Sequence, residues 1–425
     1  MDINELQHIY AAHANTRALA ATLEDQAVKT VFLAGLHASA APLFFSAFLI
    51  EQKQTTVFIL NDLEEAGYFY HDLTQVNGEE RVLFFPSSYR RAIKYGQKDT
   101  ANEILRTEVL SHLQKKDPGC VVTYPDAIAE KVVSHKELAN RTLRLEVGKH
   151  TEVDTIMEIL ADFGFERGDY GYEPGQYALR GSIVDVFSFS CEYPYRIDFF
   201  GDEVDSIRTF EVETQLSRER KESVSIVPEL SVAGTGDFVS FLDFIPKDSV
   251  LVMKDFLWVR ERIDKIYEEA VSPLALAADE EHKNELLNIV KHLTDGTDFT
   301  MGALKYRRIE FGHKPTGTPH ATLTFNIEAQ PIFHKNFGLV ASCFTDYIDK
   351  GYNLYICTDS EKQANRLKDI FEERGDRISF TYVNKTLHEG FTDHALHSCF
   401  FTDHQIFDRF HKYSLRSDRA RWRSP

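Results

Sequence analysis

The sequence of 425 residues has few cysteines and no long apolar run, and each shortage excludes a class of protein. The cysteines form no C-x-x-C pair; they are Cys120, Cys191, Cys343, Cys357 and Cys399. This excludes a zinc ribbon or finger and indicates reduced, buried thiols. No stretch approaches the roughly 18 consecutive apolar residues of a membrane-spanning helix, and the amino terminus has early acidic residues and no signal-peptide layout. We therefore predict a cytoplasmic protein without a membrane partner.

Positive charge is also scarce. Lysine and arginine total 48 against 66 aspartates and glutamates, which gives a net charge of −18. Duplex DNA binding depends on cations that displace phosphate counterions, so this charge argues against a large exposed DNA-binding surface. Two local basic clusters stand out: Arg90, Arg91, Lys94 and Lys98, and then Arg416, Arg419, Arg421 and Arg423. For the first cluster, a solvated loop and contact with single-stranded DNA both remain open.

Short apolar runs in the first third of the chain alternate with helical patterns. The runs are 30–34 (TVFLA), 56–60 (TVFIL), 81–85 (RVLFF) and 120–124 (CVVTY). Apolar spacing and capping residues predict helices at 5–24, 42–51 and 99–115. Buried β-runs separated by helices predict a parallel sheet with helical crossovers.

The pattern changes after about residue 131, and the chain length predicts several domains. A strand at 143–147, a helix at 151–163 and further short β-runs indicate an α+β unit. A buried strand is predicted at 250–253. A charged helical stretch follows at 258–292, and a linker rich in Gly, Pro and Thr at 312–319. The predicted segments are an α/β domain at 1–130, an inserted α+β module at 131–215, a largely helical part at 216–315 and a small α/β domain at 325–415.

The loop after the first predicted strand has the position of a phosphate-binding loop but lacks its residues. The strand leads into Gly35, and a helix follows. A P-loop needs glycine, lysine and a hydroxyl residue where this sequence has Ala40, Ala41 and Pro42. A helix N-terminus alone contributes only about 1 kcal/mol to anion binding. We predict that this segment binds no nucleotide, carries no cofactor or metal and is not an enzyme.

Two other patterns look like chemical sites. Asp279–His282 (DEEH) matches a helicase string, but it follows a helix or loop composition where the motif requires a buried strand. Five histidines near the carboxyl end form no H-E-x-x-H motif, and we interpret them as polar loop residues rather than metal ligands. They are His388, His394, His397, His404 and His411.

Residues 173–210 carry the strongest signal. Four short β-runs are interrupted at Gly181, Cys191–Pro194 and Gly201, which predicts two successive hairpins. Alternation in the third run divides its side chains between two faces. The apolar, inward set is Tyr195, Ile197 and Phe199, and the mixed, outward set is Arg196, Asp198 and Phe200. On pattern alone, a solvated face and a docking surface are both open.

The same stretch resembles the module shared by the UvrB proteins and the transcription-repair coupling factors of the Mfd family. The resemblance rests on Glu173–Phe187 (EPGQYALRGSIVDVF) and Pro194–Arg208 (PYRIDFFGDEVDSIR). In these families the module binds the damage-recognition protein UvrA. The resemblance therefore implies UvrA as a partner, bound by Arg180, Arg196 and Phe200.

Two departures favour the Mfd family over UvrB: the P-loop is lost, and Pro86–Lys98 is too short for the long β-hairpin with which UvrB clamps damaged DNA. The resemblance implies an α/β multidomain fold. A degenerate P-loop, RecA-like parallel-sheet domain would be split by the inserted module, completed by 216–315 and followed by the small α/β domain. The implied function is recruitment of UvrA to RNA polymerase stalled at DNA damage, in transcription-coupled nucleotide-excision repair.

Other properties of the family would belong to regions beyond Pro425. These are RNA polymerase binding, an ATP- and Mg²⁺-dependent translocase motor that binds duplex DNA, and masking of the UvrA face. The alternative is an active UvrB-type nucleotide-dependent helicase and damage-binding subunit. The alanine at position 41, where a P-loop has lysine, argues against it.

Overall fold

The computed structural model describes residues 1–89, 98–115, 117–169, 171, 173–231, 236–277 and 279–415. The helices are α1 (Ile3–Ala11), α2 (Ala14–Glu24), α3 (Ala40–Phe48), α4 (Leu63–Asn77), α5 (Thr100–Gln114), α6 (Pro125–Ile128), α7 (His135–Asn140), α8 (Val153–Asp162), α9 (Phe241–Phe244), α10 (Phe256–Val271), α11 (Glu280–Lys291), α12 (Gly296–Ala303), α13 (Phe337–Asp349), α14 (Glu361–Glu373) and α15 (Asp403–Ile406). The strands are β1 (Thr30–Ala34), β2 (Thr56–Ile59), β3 (Val82–Phe84), β4 (Cys120–Thr123), β5 (Val132–Val133), β6 (Leu143–Glu146), β7 (Glu166–Arg167), β8 (Gln176–Arg180), β9 (Ile183–Val186), β10 (Tyr195–Phe200), β11 (Glu203–Phe210), β12 (Ser217–Lys221), β13 (Ser223–Ile226), β14 (Phe238–Val239), β15 (Val250–Lys254), β16 (Arg307–Gly312), β17 (Ala321–Thr324), β18 (Ile327–Ala329), β19 (Asn353–Cys357), β20 (Thr381–Val383), β21 (Phe391–Asp393) and β22 (Ser398–Thr402).

A seven-stranded sheet forms the large unit, in the order β17-β1-β16-β15-β2-β4-β3. Every neighbouring pair in it is parallel. The strands β2 and β4 are wholly buried, as apolar strands of parallel sheets are when helices connect them. The α/β class is therefore confirmed, and the apolar runs of the first third of the chain are β1 to β4.

Two features of the large unit differ from the sequence-based expectations. A single helix at 5–24 is wrong, because the backbone is extended at His13 and its ring Nδ1 accepts a hydrogen bond from the Asn15 N–H at 3.0 Å, which starts α2. The segment 216–315 was expected to be largely helical apart from one buried strand at 250–253. That strand is β15, and the segment also supplies the strand β16 beside it. Its helices are α9 to α12.

The inserted unit is built on a six-stranded sheet in the order β12-β11-β10-β9-β8-β7. Its pairs are antiparallel except β7 with β8. The inward side chains pack against Ile156 and Leu160 of α8 and against the β6–β13 pair, in an apolar core of their own. The unit extends beyond residue 215, where the sequence predicted its end, because β12 pairs with β11.

The final unit is a five-stranded sheet, in the order β18-β21-β22-β19-β20, that packs against the large unit. Part of it has a separate core under α13 and α14. Val383, Leu387, Phe391 and Phe400, however, lie in the same buried cluster as the seven-stranded sheet. The Tyr10 hydroxyl of α1 also donates to the Asp393 carboxylate at 2.7 Å. The two units therefore share buried surface.

A histidine cluster lies at this junction. The rings of His404 and His411 stack with centroids 4.5 Å apart, and the Nδ1 atoms of His388 and His411 are 3.3 Å apart. His71 of α4 contacts His411, and Tyr68 stacks on His388. His388 and His411 do lie in loops, as predicted, whereas His404 lies in α15, and all three are packed in an interface. Among the described residues no group has the geometry of a metal site, and no helix has the length and apolarity to cross a bilayer.

We expect this cluster to make the fold sensitive to mild acid. Burial lowers the pKa of His388 and of His411 from 6.5 to about 4. The unfolded chain therefore takes up protons below pH 6.5 that the folded chain takes up only near pH 4, so stability falls as the pH drops through this window. Urea denaturation midpoints at a series of pH values measure the loss.

The matched variants are His411→Gln in the cluster and His150→Gln at an exposed position. His411→Gln should flatten the pH dependence between about pH 6.5 and 4, whereas His150→Gln should not. Equal slopes for the two variants would show that the cluster does not cause the acid sensitivity.

Candidate protein-docking site

The outward face of the six-stranded sheet presents a row of charged residues set by the strand register. Asp185 of β9 lies opposite Arg196 of β10, Arg196 opposite Arg208 of β11, and Arg208 opposite Arg220 of β12. Directly opposed residues point to the same side of a sheet. In the described strands four neighbouring positions thus form one line of charge across the unit.

Phe200 lies on the same side, at the tip of the β10–β11 hairpin. Its side chain is 82% exposed, whereas Ile197 and Phe199 on the other face are buried. The faces predicted by alternation are therefore the faces of the structure. Gly201 begins the two-residue turn with φ +61°, a conformation that suits glycine at the first position of a type II′ turn. An aromatic ring in solvent at a hairpin tip is available for a partner.

The carboxylate of Asp185 binds two arginines. Its Oδ1 accepts from Arg196 Nε at 2.7 Å and its Oδ2 from Arg196 Nη2 at 2.8 Å, a two-pronged pair. Arg180, in the last position of β8, also donates to Oδ2. The Asp185 side chain is 2% exposed, while those of Arg196 and Arg180 are 11% and 41% exposed. The three predicted contact residues thus differ widely in accessibility, with Arg196 mostly covered.

Asp198 pairs with a different arginine. Its Oδ2 accepts from Arg208 Nη1 at 2.9 Å, so Asp198 orients Arg208 rather than Arg196. Asp185 is the residue whose role sequence reasoning missed. The signal was available, because Asp185 is an acidic residue in an otherwise apolar run, Ile183–Val186.

The residues of the predicted degenerate nucleotide site lie at the start of α3. Ala40, Ala41 and Pro42 are buried in its first turn. Gly35 has φ +77°, and a Cβ there would lie 2.5 Å from the carbonyl oxygen of Phe325. A side chain at position 35 would therefore clash with the backbone that follows β17, so glycine is required there.

A loop of the final unit covers the N-terminus of α3. The Ser39 N–H donates to the carbonyl of Glu389 at 3.2 Å, and the Glu389 N–H donates to Ser39 Oγ at 2.9 Å. Asp72 of α4 accepts from Ser39 Oγ at 2.6 Å and from the His388 N–H at 2.9 Å. Protein groups thus use hydrogen-bonding positions that a phosphate would need at a helix N-terminus.

The cavity beside this loop has an acidic lining. It measures about 290 Å³ and is lined by Asp62, Glu64, Glu65, Asp72 and Glu389 among others. Its lysine, Lys254, is paired with Glu65 at 2.6 Å. Burial and the neighbouring Asp72 raise the pKa of Glu389. An excess of carboxylates repels phosphate groups.

The basic clusters are mostly beyond the described residues. Arg90, Arg91 and Lys94 lie outside them, as does the arginine cluster at 416–423. Lys98 is described, and its Nζ donates to the carbonyl of Ser231 at 3.1 Å.

Comparison with known families defines the class of the inserted unit. Residues 143–231 match the UvrB interaction domain family. The match begins at β6 and continues past β13, so it contains the whole charged face and Phe200. This segment of the chain is thus similar to UvrB interaction domains.

Relatives that match part of the chain include transcription-repair-coupling factors. The protein of Bacillus subtilis (strain 168) is 30% identical over 203 residues, which are 48% of this chain and 17% of the relative. That of Haemophilus influenzae is 29% identical over 181 residues (42% and 16%), and that of Escherichia coli K12 is 32% identical over 123 residues (29% and 11%). The matched part spans less than a fifth of the length of these relatives. The chain is homologous to this family over about half its length, which confirms the resemblance.

We expect the two faces of β10 to respond differently to truncation. Phe200→Ala removes an exposed ring and should change the free energy of unfolding by no more than about 0.5 kcal/mol. Ile197→Ala removes a fully buried side chain and should destabilise the inserted unit by about 2–5 kcal/mol. Chemical denaturation monitored by circular dichroism measures both. Early unfolding of Phe200→Ala beside a stable Ile197→Ala would contradict the face assignment.

Proposed function

We propose that this chain is a recruitment module that binds UvrA through the outward face of the inserted unit, in transcription-coupled nucleotide-excision repair. The observation that carries the proposal is the exposed Phe200 beside the arginine row, on a domain of the UvrB interaction family. Arginine and aromatic side chains supply most of the binding energy at protein interfaces. The similarity to transcription-repair-coupling factors also supports the proposal.

The wider context is part of the same proposal. The chain would be part of a longer, cytoplasmic protein that is an ATP-dependent translocase and displaces stalled RNA polymerase. Its motor and its contacts to polymerase and duplex DNA would lie outside this segment. Regions outside the segment would mask the UvrA face. The large unit is proposed to be a degenerate, RecA-like nucleotide domain that acts as a scaffold, in the segments 1–130 and 216–315. The final unit, at 325–415, is proposed to be a separate small domain that packs on it.

Binding to UvrA is the direct test. We expect titration calorimetry with purified UvrA to show saturable binding by the intact chain. Arg180→Ala and Phe200→Ala should each weaken it by about 1–3 kcal/mol, because each removes an exposed group of the docking face. The matched control is Trp258→Ala, which removes an exposed aromatic side chain from the large unit.

Two results would contradict the proposal. One is the absence of UvrA binding by the folded, unaltered chain. The other is an equal loss of affinity in Trp258→Ala, which would show that the measured contact does not involve the inserted unit specifically.

The alternative, a UvrB-type nucleotide-dependent helicase, requires ATP binding. The carboxylate lining beside Gly35 and the loop Leu387–Gly390 over the start of α3 favour the absence of such binding. Titration with a fluorescent ATP analogue and Mg²⁺ should therefore give no saturable signal, with an active UvrB-type ATPase as the positive control. Micromolar binding that is lost on substitution of Gly35 would favour the helicase.

A further inference from the structure

Arg196 uses four of the five N–H donors of its guanidinium within the inserted unit. Beyond its two bonds to Asp185, its Nη2 donates to Gln215 Oε1 at 2.8 Å and its Nη1 to the Gln215 carbonyl at 3.4 Å. The guanidinium carbon also lies 4.1 Å from the centre of the Phe210 ring. The hydrogen bonds to Asp185 raise the pKa of Arg196. Because its side chain is mostly covered, Arg196 offers a partner little accessible surface.

Arg180 has a different environment. It occupies the last position of β8, before the Gly181 turn, and its side chain is almost four times as exposed as that of Arg196, 41% against 11%. It donates to Asp185 Oδ2. Because so much of its side chain is exposed, a partner can reach Arg180 while Arg180 keeps its bond to Asp185.

The carboxylate between them is itself shielded. Asp185 is 2% exposed, and the backbone of Gly171 lies against the Asp185 backbone, so that a Cβ at Gly171 would be 3.4 Å from the Asp185 carbonyl oxygen. Both oxygens of the carboxylate are held by arginines. It cannot face a partner directly, and any effect of Asp185 on docking must be transmitted through an arginine.

We propose that Asp185 is a positioning residue for docking: anchored by Arg196, its carboxylate holds Arg180 in the orientation in which Arg180 meets the partner. The sequence analysis gave Arg180, Arg196 and Phe200 the same role. Here Arg180 and Phe200 contact the partner, and Arg196 supports Asp185. The proposal rests on the proposed function, because the partner in the test is UvrA.

A double-mutant cycle tests the proposal. UvrA affinity is measured by calorimetry, and thermal unfolding by circular dichroism, for the unaltered chain, Asp185→Asn, Arg180→Ala and the double variant. Asp185→Asn keeps the side-chain shape and should weaken UvrA binding at least about fivefold. In the Arg180→Ala background, Asp185→Asn should cost less than about twofold, because the residue through which it acts is gone.

Two further variants complete the design. Arg196→Lys keeps a cation beside Asp185 but loses the two-pronged bond, so it should fold and bind UvrA at least about fivefold more weakly. Arg196→Lys therefore tests the positioning role of Asp185 even if Asp185→Asn fails to fold. The control is Glu211→Gln, which removes the carboxylate bound by Arg218 at 2.6 Å in a more exposed pair and should leave affinity within about twofold.

The outcomes separate cleanly. Normal UvrA binding by folded Asp185→Asn or Arg196→Lys overturns the proposal, as do losses from Asp185→Asn and Arg180→Ala that simply add. A purely structural role would lower the melting temperature and cost the same affinity in both backgrounds. Failure of the unaltered chain to bind UvrA would instead contradict the proposed function.

Discussion

A carboxylate that lies almost out of water on the outer side of a sheet is stable only when cations reach it, and Asp185 meets this condition through two arginines. Removing one partner of such a buried pair costs about 3–5 kcal/mol, because the other charge is left uncompensated. The hydrogen bonds of Asp185 and Arg196 also link segments of the unit that are separate along the chain. Arg180 ends β8, Arg196 lies in β10, and Gln215 with Phe210 ties in the connection between β11 and β12. The geometry of the outward face depends on this one group.

Much of the site could be predicted because strand alternation is a local property. Every second residue of β10 is apolar, namely Tyr195, Ile197 and Phe199. When these are buried, Phe200 must lie on the exposed face, whatever elements pack on the strand. The first four strands of the large unit could be predicted equally well, because buried parallel strands consist mainly of β-branched and aromatic residues. The role of Asp185 could not be predicted in this way. It depends on which arginine lies opposite, and therefore on the pairing of β9 with β10 and on the position of Gln215.

Packing between distant segments limited the rest. His13 ends one helix and starts another because its own ring caps α2, a choice that amphipathic spacing does not reveal. Nothing local shows that the loop histidines near the carboxyl end will pack against α4. The strand β16 lies in a region rich in helical signals, and only the completed sheet shows that it lies beside β15 at the centre. The histidine packing and the place of β16 are fixed by contacts between residues far apart along the chain, whereas the His13 cap is local.

The place of β1 in its sheet has a consequence for biosynthesis. β1 pairs only with β16 and β17 among the described strands, and these lie at 307–312 and 321–324. At about 5–20 residues per second, its partners leave the ribosome tens of seconds after it does. The inserted unit, whose hairpins pair neighbouring strands, can fold during that interval, because local contacts form fastest. The inserted unit can thus be complete on the nascent chain while an apolar strand with two open edges still needs protection from aggregation.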